Sequence, residues 1–296
     1  MKYLFTISAL IIFHSCGIGS DKNNNVPALT SNITIFEVLL KDPAALDEFS
    51  LFLKDTLGFP VEWNNFDLFG DSVAYDEAFF MGNTTFELVA LYQGDSAMNE
   101  KARFNRIIFG TDDIKALSNT SKDDFPHGEP GEFIIKSGGE EIAMGIQTTL
   151  DSLSDSSNFY VSFWQYLTTG LSFEDRSVNA SSVEELYQKL GSMLESNPLG
   201  IIELKEVHLS MTDDVLNQWE KLLGPSKDNH WKLLKGPKIS YKVLSQNSGI
   251  DWITIRIKDI SKAKNFLLSK NLLSESDGRV SISRANDFGL NMFLEE

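Results

Sequence analysis

One pattern recurs four times from Asn32 onward: a strand, an amphipathic helix, then short strands separated by turns. In the first unit, residues 33–40 read as a strand and 42–57 as a helix. Leu46, Phe49, Leu53 and Leu57 fall on one face of that helix, and Gly58 stops it. Residues 60–63, 72–80 and 85–92 then read as strands. The second unit has a strand at 105–110, a short helix at 112–119 and strands at 132–136, 141–147 and 159–166. The third has a strand at 201–211, a helix at 213–223 and strands at 231–234 and 238–245. The fourth runs as a strand at 252–258, a helix at 261–270 and strands at 279–283 and 290–294. Single helices set among hairpin-linked strands predict an α+β fold rather than a doubly wound parallel sheet.

Between the second and third units, residues 181–195 read as a helix. Ser182 and Glu185 have capping-box spacing, and Leu186, Leu190 and Leu194 mark its buried face. This divides the chain into one pair of units at 27–170, a connecting helix at 171–199 and a second pair at 200–296. A protease is expected to cut at 151–158 or near Asn197-Pro198.

The N-terminus carries an address. Residues 1–16 read MKYLFTISALIIFHSC: a basic Lys2, an apolar stretch too short to span a bilayer, then the chain's single Cys. This resembles a bacterial lipoprotein signal. The resemblance implies removal of residues 1–15, lipidation of Cys16, and a flexible tether over 16–26. The lipid bilayer is then a partner, and the expected location is the bacterial cell envelope. Gly17, rather than Asp, favours the outer membrane. A cysteine spent on an anchor leaves no disulfide, no thiolate metal site and no thiol nucleophile.

Composition narrows the partners. Lys and Arg number 26 against 42 Asp and Glu, a formal net charge of −16, which excludes a phosphate-tracking nucleic-acid binder. The imbalance is local: 29 acids face 11 bases over 16–200, and 13 face 14 from 201 onward. With 21 Phe, the chain has the apolar mass for sizeable cores.

Several segments together resemble one family. DPAALDEFSLFLKDTLGFPVEW, MGNTTFELVAL, NFYVSFWQY and NPLGIIELKEVHL are similar to the glyoxalase/bleomycin-resistance/dioxygenase group, the vicinal oxygen chelate superfamily. The resemblance covers about residues 32–296. It implies repeated βαβββ modules paired into cupped mixed sheets around a small-molecule cavity. It also implies, in the enzymes, a divalent metal held by His or Gln on first strands and Glu on fourth strands. The first-strand ligand positions are occupied here by Ile35, Asn105 and Trp252, and the one nearby histidine, His208, stands five residues before Asp213 rather than seven. Glu87 matches the fourth-strand glutamate. One carboxylate is no metal site, since about three donors are needed, so no metal or other cofactor is expected.

Strand alternation supplies the remaining candidates. Glu37 shares a face with Ile35, and Asn105 faces the same cavity. Arg106 joins them only if the register shifts by one. Glu37, Glu87 and Arg106 thus form one candidate ligand-binding set. Glu206, His208 and Arg256 form the other, with Val207, Leu209, Ile253, Ile255 and Ile257 turned toward helices. There is no phosphate loop, no H-E-x-x-H and no G-x-S-x-G. Three functions remain: non-catalytic binding or sequestration of a small molecule, which the missing ligands favour; a metal-dependent lyase, isomerase or dioxygenase; and a protein-interaction scaffold.

Overall fold

The structure is a computed structural model that describes residues 32–68, 74–91, 102–121, 127–154, 159–276 and 278–296. Residues 1–31, where a signal segment, lipidated Cys16 and tether are expected, lie outside the described residues. Among the described residues no helix is long and apolar enough to cross a membrane.

The first two units close into a barrel. Unit one supplies β1 (Ile33–Leu40), α1 (Pro43–Leu51), β2 (Val61–Leu68), β3 (Ala74–Phe80) and β4 (Thr85–Leu91). Unit two supplies β5 (Arg103–Gly110), α2 (Ile114–Ser121), β6 (Gly131–Ser137), β7 (Glu140–Thr149) and β8 (Tyr160–Tyr166). Around the barrel the order is β1-β4-β3-β2-β6-β7-β8-β5. The first strands β1 and β5 pair antiparallel, and each pairs parallel with its own unit's last strand. β2 and β6 meet at one pair, Leu68 with Ile135.

Alternation along β1 sorts its side chains. Phe36, Val38 and Leu40 join the helix-side core with Leu46, Phe49 and Leu53, whereas Ile35 joins an inner cluster with Trp63, Ala78, Ile108, Met144 and Trp164. Asp42 caps α1 by accepting from Ala45 N at 2.8 Å, and Pro43 needs no donor there. The single helix expected over 42–57 is instead α1 followed by a π-helical turn, Phe52–Thr56, which ends before Gly58 at φ 68°.

The second pair stays open. It comprises β9 (Ile201–Met211), α4 (Asp213–Leu223), β10 (His230–Lys232) and β11 (Lys238–Val243), then β12 (Gly249–Ile257), α5 (Ile260–Ser269), β13 (Leu273–Ser276), β14 (Arg279–Ile282), α6 (Ser283–Asp287) and β15 (Met292–Glu295). These strands form one seven-stranded sheet in the order β10-β11-β9-β12-β15-β14-β13. Here β9 and β12 pair antiparallel as β1 and β5 do. The third unit has one strand fewer than the others, so the βαβββ expectation holds for three units and becomes βαββ in this one. The short α6 was not legible in the sequence.

The connecting helix α3 (Val183–Leu194) and the segment before it tie the halves together. Asn83 exchanges two hydrogen bonds with the Leu204 backbone, at 2.9 and 3.0 Å. Asn197 is buried and donates to Leu57 O and Gly58 O, which ties the joint near 197–198 to the first half. Phe109 meets Trp219 edge-on at 6.1 Å, and Phe49 meets Phe288 at 4.7 Å.

Residues 171–180 cross the barrel beside β2. Arg176 forms a bridge with Trp63, and Asn64 N donates to Asp175 O. The Arg176 side chain enters the barrel, where Nη1 meets Glu62 Oε1 at 2.9 Å and Nε donates to Gly170 O at 2.7 Å. Both partners are fully buried, and the guanidinium also lies over the rings of Trp63, Tyr166 and Phe173. Breaking a buried pair on one side strands the other charge. Arg176→Ala is therefore expected to lose about 3–5 kcal/mol in urea unfolding. At Gly82 (φ 88°) an added Cβ would sit 1.9 Å from Ile202 O. Gly82→Ala should accordingly lower the urea midpoint, and an unchanged midpoint would remove this contact from the account of how the halves join.

Candidate functional site

The six candidate residues fall into two groups, one in each half. In the barrel, Glu37 stands opposite both Arg106 on β5 and Glu87 on β4. A register irregularity between Glu37 and Val38 makes Asn105 an extra residue and turns Arg106 toward Glu37. Arg106 Nη1 lies 3.5 Å from Glu37 Oε2, and Asn105 Nδ2 donates to Glu37 Oε1. Sequence reading missed a third carboxyl, Asp76 on β3, which takes a hydrogen bond from Trp63 Nε1 at 3.1 Å. Burial pushes the Asp76 carboxyl up to about 7, with the Glu37 and Glu77 charges adding to it and contacts with Glu87 and Trp63 opposing it. Glu87 is pushed well above its ordinary range by burial, then by the Asp76 and Glu37 charges. Two carboxyls in this position hold a proton between them. With Phe173 and Arg176 filling the barrel from the other side, this layer sits inside a packed core.

In the second half, the candidates lie on the polar face of the seven-stranded sheet. Val207, Leu209, Ile253 and Ile255 point the other way, into the core shared with Ala263 and Leu267 of α5 and Ala285 of α6. On the polar face, Ser240, His208 and Trp252 stand in one row across β11, β9 and β12. The next row holds Glu206, Thr254 and Phe293. Ser240 Oγ donates to Glu206 Oε1 and lies 2.8 Å from His208 Nδ1, an arrangement that puts the ring proton on Nδ1. The other ring nitrogen, Nε2, is 3.8 Å from Asp251 Oδ2. Burial lowers the His208 pKa, and Asp251 partly offsets it.

The His208 ring lies parallel to Trp252 at 4.5 Å and 2°. The Arg279 guanidinium lies 4.0 Å from the centre of Trp252 and 3.6 Å from that of Phe293. Arg279 Nη2 donates to Thr254 Oγ1 at 2.9 Å. Arg256 is drawn off by Glu203 at 2.7 Å, so of the second set only Glu206 and His208 are joined, through Ser240. Sequence reading singled out neither Arg279 nor Phe293 nor Asp251. Arg279 opens a strand four residues long, and nothing local marks it as reaching back over two rings.

The divalent metal associated with this fold does not suit these residues. On the open sheet the first-strand position opposite His208 is Trp252, whose ring stacks on the imidazole. Glu206 is already engaged by Ser240 and by Lys238 at 2.7 Å. In the barrel the first-strand positions carry Ile35 and Asn105. Among the described residues no group of three or more His, Cys, Asp or Glu is placed to hold a metal ion.

Comparison with solved structures identifies the fold. A hypothetical protein from Staphylococcus aureus aligns over 88% of this chain and 97% of its own, at 11% identity and a TM-score of 0.56. A triple mutant of 4-hydroxymandelate synthase from Streptomyces coelicolor aligns over 84% and 78%, at 12% identity and 0.52. The 2,3-dioxygenase LapB from Pseudomonas sp. KL28 aligns over 90% and 94%, at 12% identity and 0.50. The synthase and the dioxygenase have the vicinal oxygen chelate fold, and this chain shares it. No protein-family model matches the chain, and no curated protein matches it in sequence.

The barrel carboxyls set a pH dependence. Asp76 has an ordinary value of 3.8 and a folded value of about 7. Between those values the folded chain holds a proton that the unfolded chain releases, so stability falls as pH rises from about 4 to about 7. Asp76→Asn should flatten that slope in urea unfolding measured at pH 5, 6.5 and 8, and should stabilise the protein at pH 8. An unaltered slope would mean that the proton resides elsewhere.

Proposed function

We propose that this chain is a non-catalytic small-molecule-binding protein, held at the bacterial envelope by lipidated Cys16, whose binding surface is the polar face of the seven-stranded sheet. The observation that carries this reading is the His208–Trp252 stack. It places an aromatic ring where a first-strand metal ligand is expected, and it leaves the one histidine bonded to Ser240 rather than grouped with other donors. A Lewis-acid mechanism needs an open site with about three protein ligands, and this face offers a shelf of rings, hydroxyls and paired charges instead. The barrel is the weaker candidate, because its interior is occupied by its own side chains. Fold alone assigns no chemistry, so the synthase and dioxygenase activities of the structural neighbours are not carried over to this chain.

Two measurements test the reading. Purified protein should hold no stoichiometric metal, and titration with zinc, nickel, iron or manganese should give no saturable thermal shift. Stoichiometric metal that is lost in Glu87→Gln or His208→Ala would make the protein a metalloenzyme candidate instead. For the anchor, a palmitate analogue should label the wild type and not Cys16→Ala, which should leave the membrane fraction. Equal labelling of both would remove the lipoprotein assignment.

A further inference from the structure

On the polar face of the seven-stranded sheet the acidic groups are already matched. Glu206 pairs with Lys238 at 2.7 Å, Asp251 with Lys242 at 3.2 Å, Glu295 with Lys205 at 2.9 Å and Glu203 with Arg256 at 2.7 Å. Arg279 is the exception. No carboxylate among the described residues lies within ion-pair distance of it, and its one side-chain hydrogen bond goes to the neutral hydroxyl of Thr254. The guanidinium is nevertheless fixed. It is set in the corner between Trp252 and Phe293, whose planes meet at 86°, and Thr254 beneath it is fully buried. His208 and Arg279 both lie within 4.5 Å of the Trp252 ring centre. Both planar groups thus pack against the Trp252 ring.

A cation held in this way is prepaid. Its rotamer freedom is already spent, it is half removed from water, and four of its five N–H donors remain after the Thr254 bond. The faces of Trp252 and Phe293, over which it lies, hold the cation in place. Partial burial lowers the Arg279 pKa from its ordinary value, and the charges of Glu295 and Glu206, neither within ion-pair distance, offset part of that. We infer that Arg279 is the anchor for a ligand on this face. The ligand of this face is a small organic carboxylate, bound to the free edge of the guanidinium with its apolar body against Trp252 and Phe293. This inference rests on the reading of the open face as a binding surface.

The test uses the full-length chain treated with EDTA and three probes of one size: benzoate, benzamide and benzylamine. Binding is read from Trp252 emission, with Trp252→Phe as the reference that isolates it from the other four tryptophans. Benzoate should saturate the signal without metal and bind at least about tenfold more tightly than benzamide, the factor a charge-assisted hydrogen-bond pair supplies. Arg279→Met, which keeps the apolar stem against the rings, should lose at least about tenfold, and Arg279→Lys should fall between. Added salt should weaken benzoate and leave benzamide unchanged. If benzamide or benzylamine binds as well as benzoate, or if benzoate binding survives in folded Arg279→Met, the carboxylate assignment is overturned while the open face stands as a binding surface. If none of the three probes moves Trp252 emission in the wild type, both fall. The wild-type comparison of benzoate with benzamide needs no variant, so the result does not depend on how Arg279→Met folds.

Discussion

Everything in this architecture follows from the antiparallel pairing of first strands, β1 with β5 and β9 with β12. Side chains on a strand alternate between two faces, and a paired strand cannot slip by one residue without exchanging them. Once these central strands are in register, Phe36, Val38, Leu209 and Ile253 are committed to the helices. The residues between them, Glu37 in one half and His208 in the other, are committed to the concave side. Burial then acts on a pattern already decided. The helix faces pack against a continuous apolar surface, and the polar residues are gathered with one another.

The two halves then diverge because their concave sides receive different company. In the barrel, the segment at 171–180 brings Arg176 and Phe173 inside, and Glu62 and Thr85 are bound there. A closed interior with its own guanidinium is a core that happens to contain charge. On the open sheet, the corresponding surface keeps a guanidinium set over the rings of Trp252 and Phe293. The same repeated unit thus yields a closed interior in one half and an open face in the other. The acidic excess of residues 16–200 fits this division, because the open sheet belongs to the half where acids and bases nearly balance.

Much of the fold was legible before any coordinates. The period-two pattern of β1, β9 and β12, the apolar stripe of α1 and the capping spacing of Ser182 with Glu185 are local signals, and each appears where local physics puts it. The shortened third unit was not legible: the sequence reads two strands after the helix in the fourth unit as well, because β13 carries no strong strand signal. What else could not be read was long-range. The irregularity beside Glu37 that brings in both Asn105 and Arg106 depends on a partner strand about seventy residues away. Arg176 stands in a segment with no periodicity, and its partner Glu62 lies in another unit. Arg279 carries no motif, and its role comes from the rings of β12 and β15 that surround it. Asn197 looked like a joint because Asn-Pro is turn chemistry, yet its side chain is used to hold the other half.

The missing strand of the third unit has a kinetic consequence. In the first half, eight strands meet end to end, and anything entering must first move the segment that carries Arg176. Seven strands do not meet, and among the described residues no strand closes the sheet over His208, Trp252 and Arg279. If the proposed binding role holds, capture on such a face is an encounter rather than a gated event. Its rate is set by diffusion and by the field of one fixed cation, and the time a molecule stays is left to the contacts it makes on arrival.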